Sequence, residues 1–334
     1  MTLTFVVIVN YRIGPLVVDC LASLLGELPS LCGGRVIVVD NASGDGSAAL
    51  IRAAIAERGW SSWAELIELP RNGGFAYGNN RAIEHVRQCE PAFGAIVCLN
   101  PDTVVCPGAI AELLVHLDRH PRAGIVGPTI ENERGDLQLS ALSFPSVWSE
   151  LDGGAQLGLL SRLIGARSMA RMANDSTHSC DWLAGACFVV RREVFEAIGM
   201  LDEGYFLYFE ETDFCWRAGQ GGWSCWFVPA ARVVHFEGAS TGIRDARRRR
   251  PAYWFESRRR LFTKLYGVWG LLLADGLWAL GRASLQLRRL LHLGGVREGQ
   301  PEPHRFASDL LLGDLRAALS GNLNGLKVVN ERDA

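Results

Sequence analysis

The sequence predicts an α/β fold built on a doubly wound, mostly parallel sheet, followed by a helical C-terminal extension. In the first third of the chain, short runs rich in β-branched residues alternate with segments of helical spacing. The runs are continuously apolar, which is typical of parallel strands covered on both faces. With 334 residues, 49% of them hydrophobic, the chain is long enough to bury a core of this kind.

Four strands and four helices are expected in this alternating region. Because ligands bind at the carboxyl ends of the strands in an open parallel sheet, the polar residues that follow each strand are expected to line one crevice. The predicted strands are Leu3–Asn10, Arg35–Asp40, Glu65–Leu69 and Phe93–Asn100. The predicted helices are Pro15–Glu27, Ser47–Arg58, Phe75–Cys89 and Pro107–His120.

The pattern is less regular after residue 124. One buried strand is predicted at Trp182–Arg192, a helix at Glu210–Gly219 and two short strands within Trp223–Phe236. From Pro251 onward the sequence is typical of helix, with a short amphipathic helix at Ser308–Leu319.

The extension carries a basic and apolar segment. The chain has a net charge of -2, but Arg244–Arg289 contains twelve Arg or Lys residues and three acids, which favours phosphate, lipid head groups or nucleic acid as a partner. Nucleic acid is not expected, since no nucleic-acid module accompanies the charge.

Within this segment Gly267–Leu280 has 14 residues, including Asp275, against the ~20 needed to span a bilayer. The flanking Arg258–Arg260 and Arg288–Arg289 favour a helix lying in the membrane interface. A helix packed on the main domain or in a dimer interface is the alternative.

The nine cysteines form no C-x-x-C pair and no zinc-type cluster. Cys98 and Cys187 lie in apolar runs, so buried thiols in a reducing compartment are expected rather than disulfides. The N-terminal apolar run is short and has no basic residues before it, unlike a signal peptide. It is therefore predicted to be the first strand of a protein that faces the cytosol.

The first candidate site residues follow the first two strands. Asn10 and Tyr11 end the first strand, and Asp40 ends the second within VVDNASGDGS. An acid at this place can accept a hydrogen bond from a nucleobase or ribose, with Asn41 and Ser43 in the turn beside it. The alternative is that the acid only caps the next helix. No G-x-G-x-x-G follows the first strand, which argues against a nicotinamide-dependent dehydrogenase.

A glycine-rich loop follows the third strand, in RNGGFAYGNNRA. Gly73 and Gly74 allow close approach of the backbone to a ligand, and Phe75 and Asn79 lie in the helix that follows. Ordinary loops have a similar composition, so this motif alone is weak evidence for a phosphate or sugar site.

Two further motifs suggest metal and ribose ligands. Asn100 and Asp102 flank a proline directly after a buried strand, where they could hold a ribose and a divalent metal on a diphosphate. A turn into the next helix is the alternative. His235 ends an apolar strand and, taken alone, is predicted to be a core histidine, although imidazole is a good ligand for Mn²⁺-like ions.

Glu210, Glu211 and Asp213 lie among aromatic residues in LDEGYFLYFEETDFCWR. Carboxylates next to apolar groups acquire raised pKa values, as a general base requires. An acidic helix N-terminus that complements the macrodipole is the alternative. The density of large apolar neighbours favours the general base.

Together these motifs resemble the family 2 glycosyltransferases of the GT-A fold, in particular the rhamnosyltransferase-like branch. The resemblance covers roughly residues 3–266. The matching motifs, in order, are VIVNYR, VVDNASGDGS, RNGGFAYGNN, LNPD, WLAGACFVVRR, FLYFEETDFCWR and VVHFEGAS.

The resemblance implies an inverting transfer of a sugar from a nucleotide donor, with Mg²⁺ or Mn²⁺ as the divalent metal. Asp40 would contact the nucleobase. Asp102 would bind the metal in an N-P-D variant of the D-x-D motif, a variant familiar in this branch. His235 would join the metal site, which reverses the prediction from that residue alone. Arg247, in the basic run, would contact the donor diphosphate, a lipid-linked diphosphate acceptor or an anionic membrane.

The catalytic base departs from the family pattern. Glu211 stands where the family usually has the aspartate of a Glu-Asp pair. Because glutamate is one methylene longer, Glu210 or Asp213 could take the role instead. Because of this departure, a catalytically silent protein that binds sugar or scaffolds a complex stays an alternative interpretation.

The resemblance implies a domain plan and a set of partners. Residues 1–245 would form the catalytic domain, with a nucleotide-binding half at about 1–125 and an acceptor half at about 126–245, before an extension at 246–334. The expected donor is dTDP-L-rhamnose, ahead of UDP- or GDP-sugars. The expected acceptor is a glycan or lipid-linked hydroxyl in cell-surface polysaccharide synthesis. A peripheral contact with the inner face of the cell membrane is expected, and a homo-oligomer is left open.

A nucleotidyltransferase that makes the activated sugar is the rival enzyme class. It would carry a glycine-rich loop with Lys or Arg directly after the first strand. That place has the sequence NYRIGPL, which argues against it.

Overall fold

The computed structural model describes residues 2–157, 176–236, 248–292 and 303–321. The chain divides into two compact units. Unit 1 comprises Met1–Leu142, Met172–Glu203 and Glu210–Gly242. Unit 2 comprises Ser143–Arg171, Gly204–Phe209 and Ile243–Ala334, so it takes two segments from the region expected to form a single domain.

The described residues form eleven strands and nine α-helices, with 3₁₀ turns at Leu24–Leu31 and Trp60–Ser62. The strands are β1 (Thr4–Asn10), β2 (Val36–Asp40), β3 (Ala64–Glu68), β4 (Ala95–Leu99), β5 (Thr103–Val105), β6 (Ala123–Glu131), β7 (Ala141–Leu142), β8 (His178–Cys180), β9 (Trp182–Leu183), β10 (Cys187–Arg191) and β11 (Ser224–His235). The helices are α1 (Gly14–Ser23), α2 (Ser47–Glu57), α3 (Gly74–Cys89), α4 (Ala109–Arg119), α5 (Val147–Ala155), α6 (Arg192–Ile198), α7 (Glu210–Gln220), α8 (Ala252–Leu290) and α9 (Phe306–Leu319).

Unit 1 is built on one mixed sheet of order β3-β2-β1-β4-β10-β6-β11-β5, with β8 paired to β11. The first four strands in the chain pair in parallel, as predicted. β10 then runs antiparallel between β4 and β6, and β11 is parallel to β6 and antiparallel to β5. All residues of β1, β2 and β4 are buried, which agrees with their continuously apolar sequences.

Two predicted strand boundaries in the second half were wrong. Trp182–Arg192 is not one strand, because Ala184–Ala186 separates β9 from β10 and α6 begins at Arg192. The two short strands expected within Trp223–Phe236 are one strand of 12 residues. Its register with β6 shifts between Val228 and Arg232 around Pro229, since proline has no N–H to donate to the ladder.

The helix after β1 is a core element of unit 1. The window Gly14–Leu31 has a mean hydropathy of 1.3, and its length and composition would also suit a membrane span. Its inward residues Val17, Leu21 and Leu24 are fully buried in the main apolar cluster of unit 1. Core helices of globular domains share this composition.

All nine cysteine thiols are free. Cys98 and Cys187 are buried as predicted, and burial raises the pKa of the Cys98 thiol to about 12. Cys32 and Cys89 are exposed, so the expectation of buried thiols does not hold for these two.

Unit 2 is held together by α5, α8 and α9. A Cβ added at Gly281 of α8 would lie 2.6 Å from the Leu151 carbonyl oxygen, so glycine permits close packing of α8 on α5. Trp278 and Leu310 are buried in a cluster that joins α8 to α9. α8 bends at Gly267, where φ is 70°.

A buried ionic cluster lies among these three helices. Arg258 donates to Asp275 at 2.8 Å, to Asp314 at 3.2 Å and to Glu150 at 2.9 Å. Arg259 donates to Asp314 at 2.8 Å. Arg258 and Arg259 are both buried, so the expectation that the run Arg258–Arg260 flanks a membrane-facing helix was wrong for these two residues.

Candidate active site

The carboxyl ends of β1 and β2 are joined by a buried polar network. Asn10 donates to the Asp40 carboxylate at 2.7 Å and to the Ser43 hydroxyl at 3.1 Å. The Ser43 backbone N–H and hydroxyl donate to the two Asp40 oxygens at 3.0 and 2.6 Å. Asp40 is therefore fixed by neighbours at the strand ends. Arg12 donates to the Ser43 carbonyl oxygen at 3.1 Å, and its guanidinium lies 4.8 Å from the Tyr11 ring centroid.

Asn41 links the end of β2 to the glycine-rich loop. Its amide donates to the Asn72 side chain at 2.9 Å and to the Gly74 carbonyl at 3.0 Å. Gly73 in turn donates from its backbone to the Asn41 side chain at 3.4 Å. The predicted residues of the first two motifs thus form one connected edge of the sheet.

Glycine is required at the start of α3. Gly74 has φ of 89°. A Cβ added at Gly78 would lie 2.6 Å from the Val9 side chain, so α3 packs directly on β1. Phe75 is partly buried, and its carbonyl accepts a hydrogen bond at 2.9 Å from Asn79. The Asn79 Oδ1 atom is buried without a hydrogen-bond partner among the described residues, so this amide is not fully satisfied by the protein.

The N-P-D motif and the end of β11 lie together. His235 pairs with Thr103 across β11 and β5. Its Nε2 atom is 3.3 Å from Asp102 Oδ1 and 3.5 Å from the Asn100 amide nitrogen. Asp102 is 5% exposed. The arrangement brings one carboxylate and one imidazole to the same point, and both are ligands that suit Mg²⁺ or Mn²⁺.

Two adjacent acids open α7. Burial raises the pKa of Glu211 to about 7, against hydrogen bonds from the backbone of Glu211, Thr212 and Gly185 that lower it. Burial, followed by the neighbouring Glu211 charge, raises the pKa of Glu210 well above its ordinary range. Each acid has a buried Oε2 atom with no hydrogen-bond partner among the described residues. Glu211 is the more exposed of the two, so it is the acid that can meet a substrate proton near neutral pH.

Asp213 has a different environment. It is fully buried, and Arg217 donates to its carboxylate at 2.8 Å. Arg217 also donates to the carbonyls of Ile198 and Met200, at 2.8 and 2.9 Å. This ion pair fastens α7 to the end of α6, a structural role that the sequence motif did not distinguish from that of its two acidic neighbours.

The turn between β9 and β10 lies within the WLAGACFVVRR motif, but none of its residues was predicted to be a site residue. The Ala186 carbonyl accepts a hydrogen bond from the Asn100 backbone at 2.8 Å. At the residue before it, a Cβ added at Gly185 would lie 3.3 Å from Glu211 Oε1. This turn therefore contacts both the N-P-D motif and the acid of α7. The sequence signal for this turn was that motif, which has a glycine between two apolar runs. Arg247, the remaining predicted site residue, lies outside the described residues.

A comparison with family models agrees with this arrangement. The model described as "Glycosyltransferase like family 2" matches residues 3–254. The chain belongs to glycosyltransferase family 2.

Curated relatives within this family confirm the rhamnosyltransferase-like branch. The N-acetylglucosaminyl-diphospho-decaprenol L-rhamnosyltransferase of Mycobacterium tuberculosis is 33% identical over 296 residues, covering 85% of this chain and 90% of that protein. Rhamnosyltransferase WbbL of Escherichia coli is 28% identical over 169 residues, covering 49% of this chain and 61% of that protein.

Solved structures confirm the GT-A fold. A mannosyltransferase from Pyrobaculum calidifontis in complex with GDP-Man and Mn²⁺ aligns with a TM-score of 0.54 at 16% identity, covering 98% of this glycosyltransferase and 88% of that chain. GalNAc-T7 with UDP, GalNAc and Mn²⁺ aligns with a TM-score of 0.56 at 16% identity, covering 95% of this chain and 58% of that chain.

Proposed function

We propose that this glycosyltransferase catalyses an inverting, metal-dependent transfer of L-rhamnose from dTDP-L-rhamnose to a hydroxyl of a lipid-linked glycan. The observation that carries the proposal is the turn at Gly185 and Ala186, which contacts both Asn100 of the N-P-D motif and Glu211. A single displacement needs the base and the diphosphate-binding motif to be held in a fixed relative position. Their shared contact with this turn matches that need. The names of the relatives from Mycobacterium tuberculosis and Escherichia coli support rhamnose as the sugar.

The donor is assigned to the edge formed by the first two motifs. Asp40 accepts a hydrogen bond from the nucleobase, held in place by its bonds from Asn10 and Ser43. Gly73 and Gly74 let the backbone approach the diphosphate closely. The domain plan proposed from the sequence, with a nucleotide-binding half at about residues 1–125, places these groups in that half.

A divalent metal fits the chemistry of Asp102 and His235. The carboxylate and the imidazole are 3.3 Å apart, and among the described residues no third His, Cys, Asp or Glu completes a metal cluster with them. Asp102 and His235 would hold the metal, and the donor diphosphate would supply further oxygen ligands. When bound, the metal would neutralise charge on the leaving nucleoside diphosphate.

Glu211 is assigned as the general base. Its free carboxylate oxygen takes the proton from the acceptor hydroxyl as that oxygen bonds to C1 of the sugar from the face opposite the diphosphate. The C1–oxygen bond to the diphosphate breaks in the same step, and the nucleoside diphosphate leaves with the bonding electrons. One displacement inverts the anomeric centre, and the base retains the proton until solvent removes it.

A test of donor and metal begins with thermal unfolding in the presence of nucleotide sugars. With dTDP-L-rhamnose at about a hundred times Kd and Mn²⁺ or Mg²⁺, the melting temperature is expected to rise by about 5 °C. Asp102→Asn should lose the metal-dependent part of this rise, whereas Glu112→Gln, an exposed acid on α4, should keep it. A rise with UDP- or GDP-sugars alone would reassign the donor. No rise with any donor, in folded protein, would support a silent sugar-binding or scaffold protein instead.

Gly185→Ala tests the shared turn. The added methyl would lie 3.3 Å from Glu211 Oε1, closer than carbon and oxygen ordinarily pack, so the carboxylate must move by a few tenths of an ångström. We expect kcat to fall by about tenfold with the KM for donor unchanged, because misplacement of a reacting group costs rate. Steady-state kinetics on purified enzyme measure this, and Gly153→Ala, where nothing lies within 4 Å, is the matched control. An unchanged kcat would remove the turn from the mechanism.

The proposed location is the inner face of the cell membrane, where a lipid-linked acceptor would be presented. The enzyme would reach that surface through its C-terminal extension, at residues 246–334.

A further inference from the structure

The second half of α8 carries a row of large apolar side chains that face away from the protein. After the bend at Gly267, Trp269 is 84% exposed, Leu280 62% and Leu290 75%. We call the outward row the residues Trp269, Leu273, Leu280, Leu287 and Leu290, all of them exposed. Their spacings of four, seven, seven and three residues place them on one face of an α-helix.

The opposite face of the same helix already has its partners. Leu271, Ala274 and Leu285 are fully buried, and Trp278 is nearly so. Gly281 allows close contact with α5 on this side. α8 is therefore apolar on two faces. One face packs inside unit 2, and the other carries the outward row. A contiguous apolar face left to solvent marks an interaction surface.

The charges around the outward row have one sign. Between Tyr266 and His292 the sequence has a single acid, Asp275, which is buried and bonded to Arg258 on the inner side. Arg289 and His292 are exposed at the end of the helix. The outward row itself carries no charge, and the exposed charge at the C-terminal end of the helix is basic, with no exposed acid of this half of α8 to match it.

We infer that the outward row is a docking surface for an anionic lipid bilayer. From Trp269 to Leu290 it is about 32 Å long at 1.5 Å per residue, and the helix would lie in the plane of the interface. It cannot cross the bilayer, because the inner face is packed on α5 and α9 through the buried ionic cluster. Anionic lipid complements the basic C-terminal end of the helix at Arg289, whereas the same half of α8 in a second copy would bring the same basic residues and no exposed acid to meet them.

This inference rests on the membrane location proposed above and not on the transfer reaction. It adds to that proposal the face of α8 that makes contact, the depth at which the helix lies and the sign of the lipid charge. It also assigns the contact to residues that the sequence reasoning had not separated from their buried neighbours.

The experiment is co-sedimentation of the full chain with vesicles of phosphatidylcholine, with and without phosphatidylglycerol. Wild-type protein is expected to bind the vesicles that contain phosphatidylglycerol and to be released by added salt. Leu280→Glu should weaken binding by about tenfold or more, since it places a charge in the middle of the row. Trp269→Ala, which adds no charge, should weaken it in the same direction.

Leu50→Glu is the matched control, because Leu50 is an exposed leucine on α2 of unit 1, and its change should leave binding as in the wild type. Equal vesicle binding by the wild type and Leu280→Glu would overturn the inference. So would a dimer in sedimentation velocity that Leu280→Glu dissociates while vesicles bind neither form, which would assign the row to a second copy. Donor-induced thermal stabilisation, measured on the same variants, reports on the transfer proposal separately.

Discussion

Glu211→Gln is expected to reduce sugar transfer by about 10²- to 10⁴-fold, the usual contribution of a positioned general base. Glutamine keeps the shape of the side chain and its contacts with Gly185 but cannot accept the acceptor proton. Donor binding should stay within about twofold of wild type, because the donor residues Asp40 and Asn41 lie at the end of β2 and not on α7. Single-turnover transfer and donor titration, on the same preparation, separate the two quantities.

The dependence of the transfer rate on pH provides a second test of Glu211 as the general base. Burial raises the pKa of Glu211 to about 7, so the base becomes active as pH rises and the rate should level off above about pH 7. The effect on stability has the opposite direction. A folded-state pKa above the ordinary 4.5 means that the stability contributed by the protonated form is lost as pH rises toward about 7. Glu211→Gln should therefore melt no lower than wild type above that pH.

Glu210→Gln is the matched control for Glu211→Gln. Burial and the neighbouring Glu211 charge raise the pKa of Glu210, which favours its neutral form, and glutamine resembles that form in shape and charge. Transfer by this variant should remain within about tenfold of wild type. If Glu210→Gln loses transfer and Glu211→Gln retains it, the base is Glu210. If both retain it, neither acid is the base.

Arg258→Met is expected to lower the unfolding free energy of unit 2 by about 3–5 kcal/mol. The side chain is 3% exposed and bonds to three carboxylates, so its removal leaves buried acids without their shared cation. Denaturant unfolding, with hydrogen exchange followed in peptides of α5, α8 and α9, would locate the loss. Unit 1 peptides should change much less.

Arg249→Gln removes an exposed ion pair and is the control for Arg258→Met, which removes a buried one. Arg249 makes two hydrogen bonds to Asp309, at 2.7 and 2.8 Å, but its side chain is exposed to solvent. Exposed ion pairs contribute little to stability, so this variant should unfold nearly as the wild type does. A similar loss in Arg249→Gln and Arg258→Met would show that charge removal, and not burial, sets the effect.

Asp275 adds a pH dependence to the same cluster. Burial raises its pKa to about 7 against the attraction of Arg258, and the neighbouring Asp314 charge also raises it. Since the folded-state pKa lies above the ordinary 3.8, this contribution to unit 2 stability declines as pH rises from about 4 to about 7. Asp275→Asn should flatten that decline in urea unfolding across the same window. A slope equal to that of the wild type would assign it to another group.

The parallel half of the sheet could be predicted from sequence because its signal is local. Continuous apolar runs such as that of β2 need both faces covered, and few arrangements besides a doubly wound sheet provide this. The second half gave no such signal. The place of β10 between β4 and β6 depends on pairing between distant segments, and α5 joins α8 only through tertiary packing.

The residues of the candidate site also fall into two groups. Some have a local sequence signal, and others make contacts that join segments far apart in the sequence. Polar residues at strand ends, such as Asp40 and Asp102, could be found from the period of the strands. The role of His235 could not be derived from its own surroundings, and the resemblance to relatives suggested it first. Gly185 was missed because its contact with Glu211 joins segments that are separate in the sequence.

The ionic cluster of unit 2 has a consequence for how the protein is made. α5 leaves the ribosome near the middle of synthesis, but Arg258, which neutralises Glu150, follows more than a hundred residues later, and Asp314 comes near the end of the chain. Unit 2 cannot close until synthesis is almost complete, whereas most strands of unit 1 are available well before that. Until α8 is synthesised, the nascent chain holds α5 without the helix on which it packs. Premature termination before residue 306 would remove α9 and leave Arg259 without Asp314 and Trp278 without Leu310, which makes the last helix a determinant of how completely unit 2 folds.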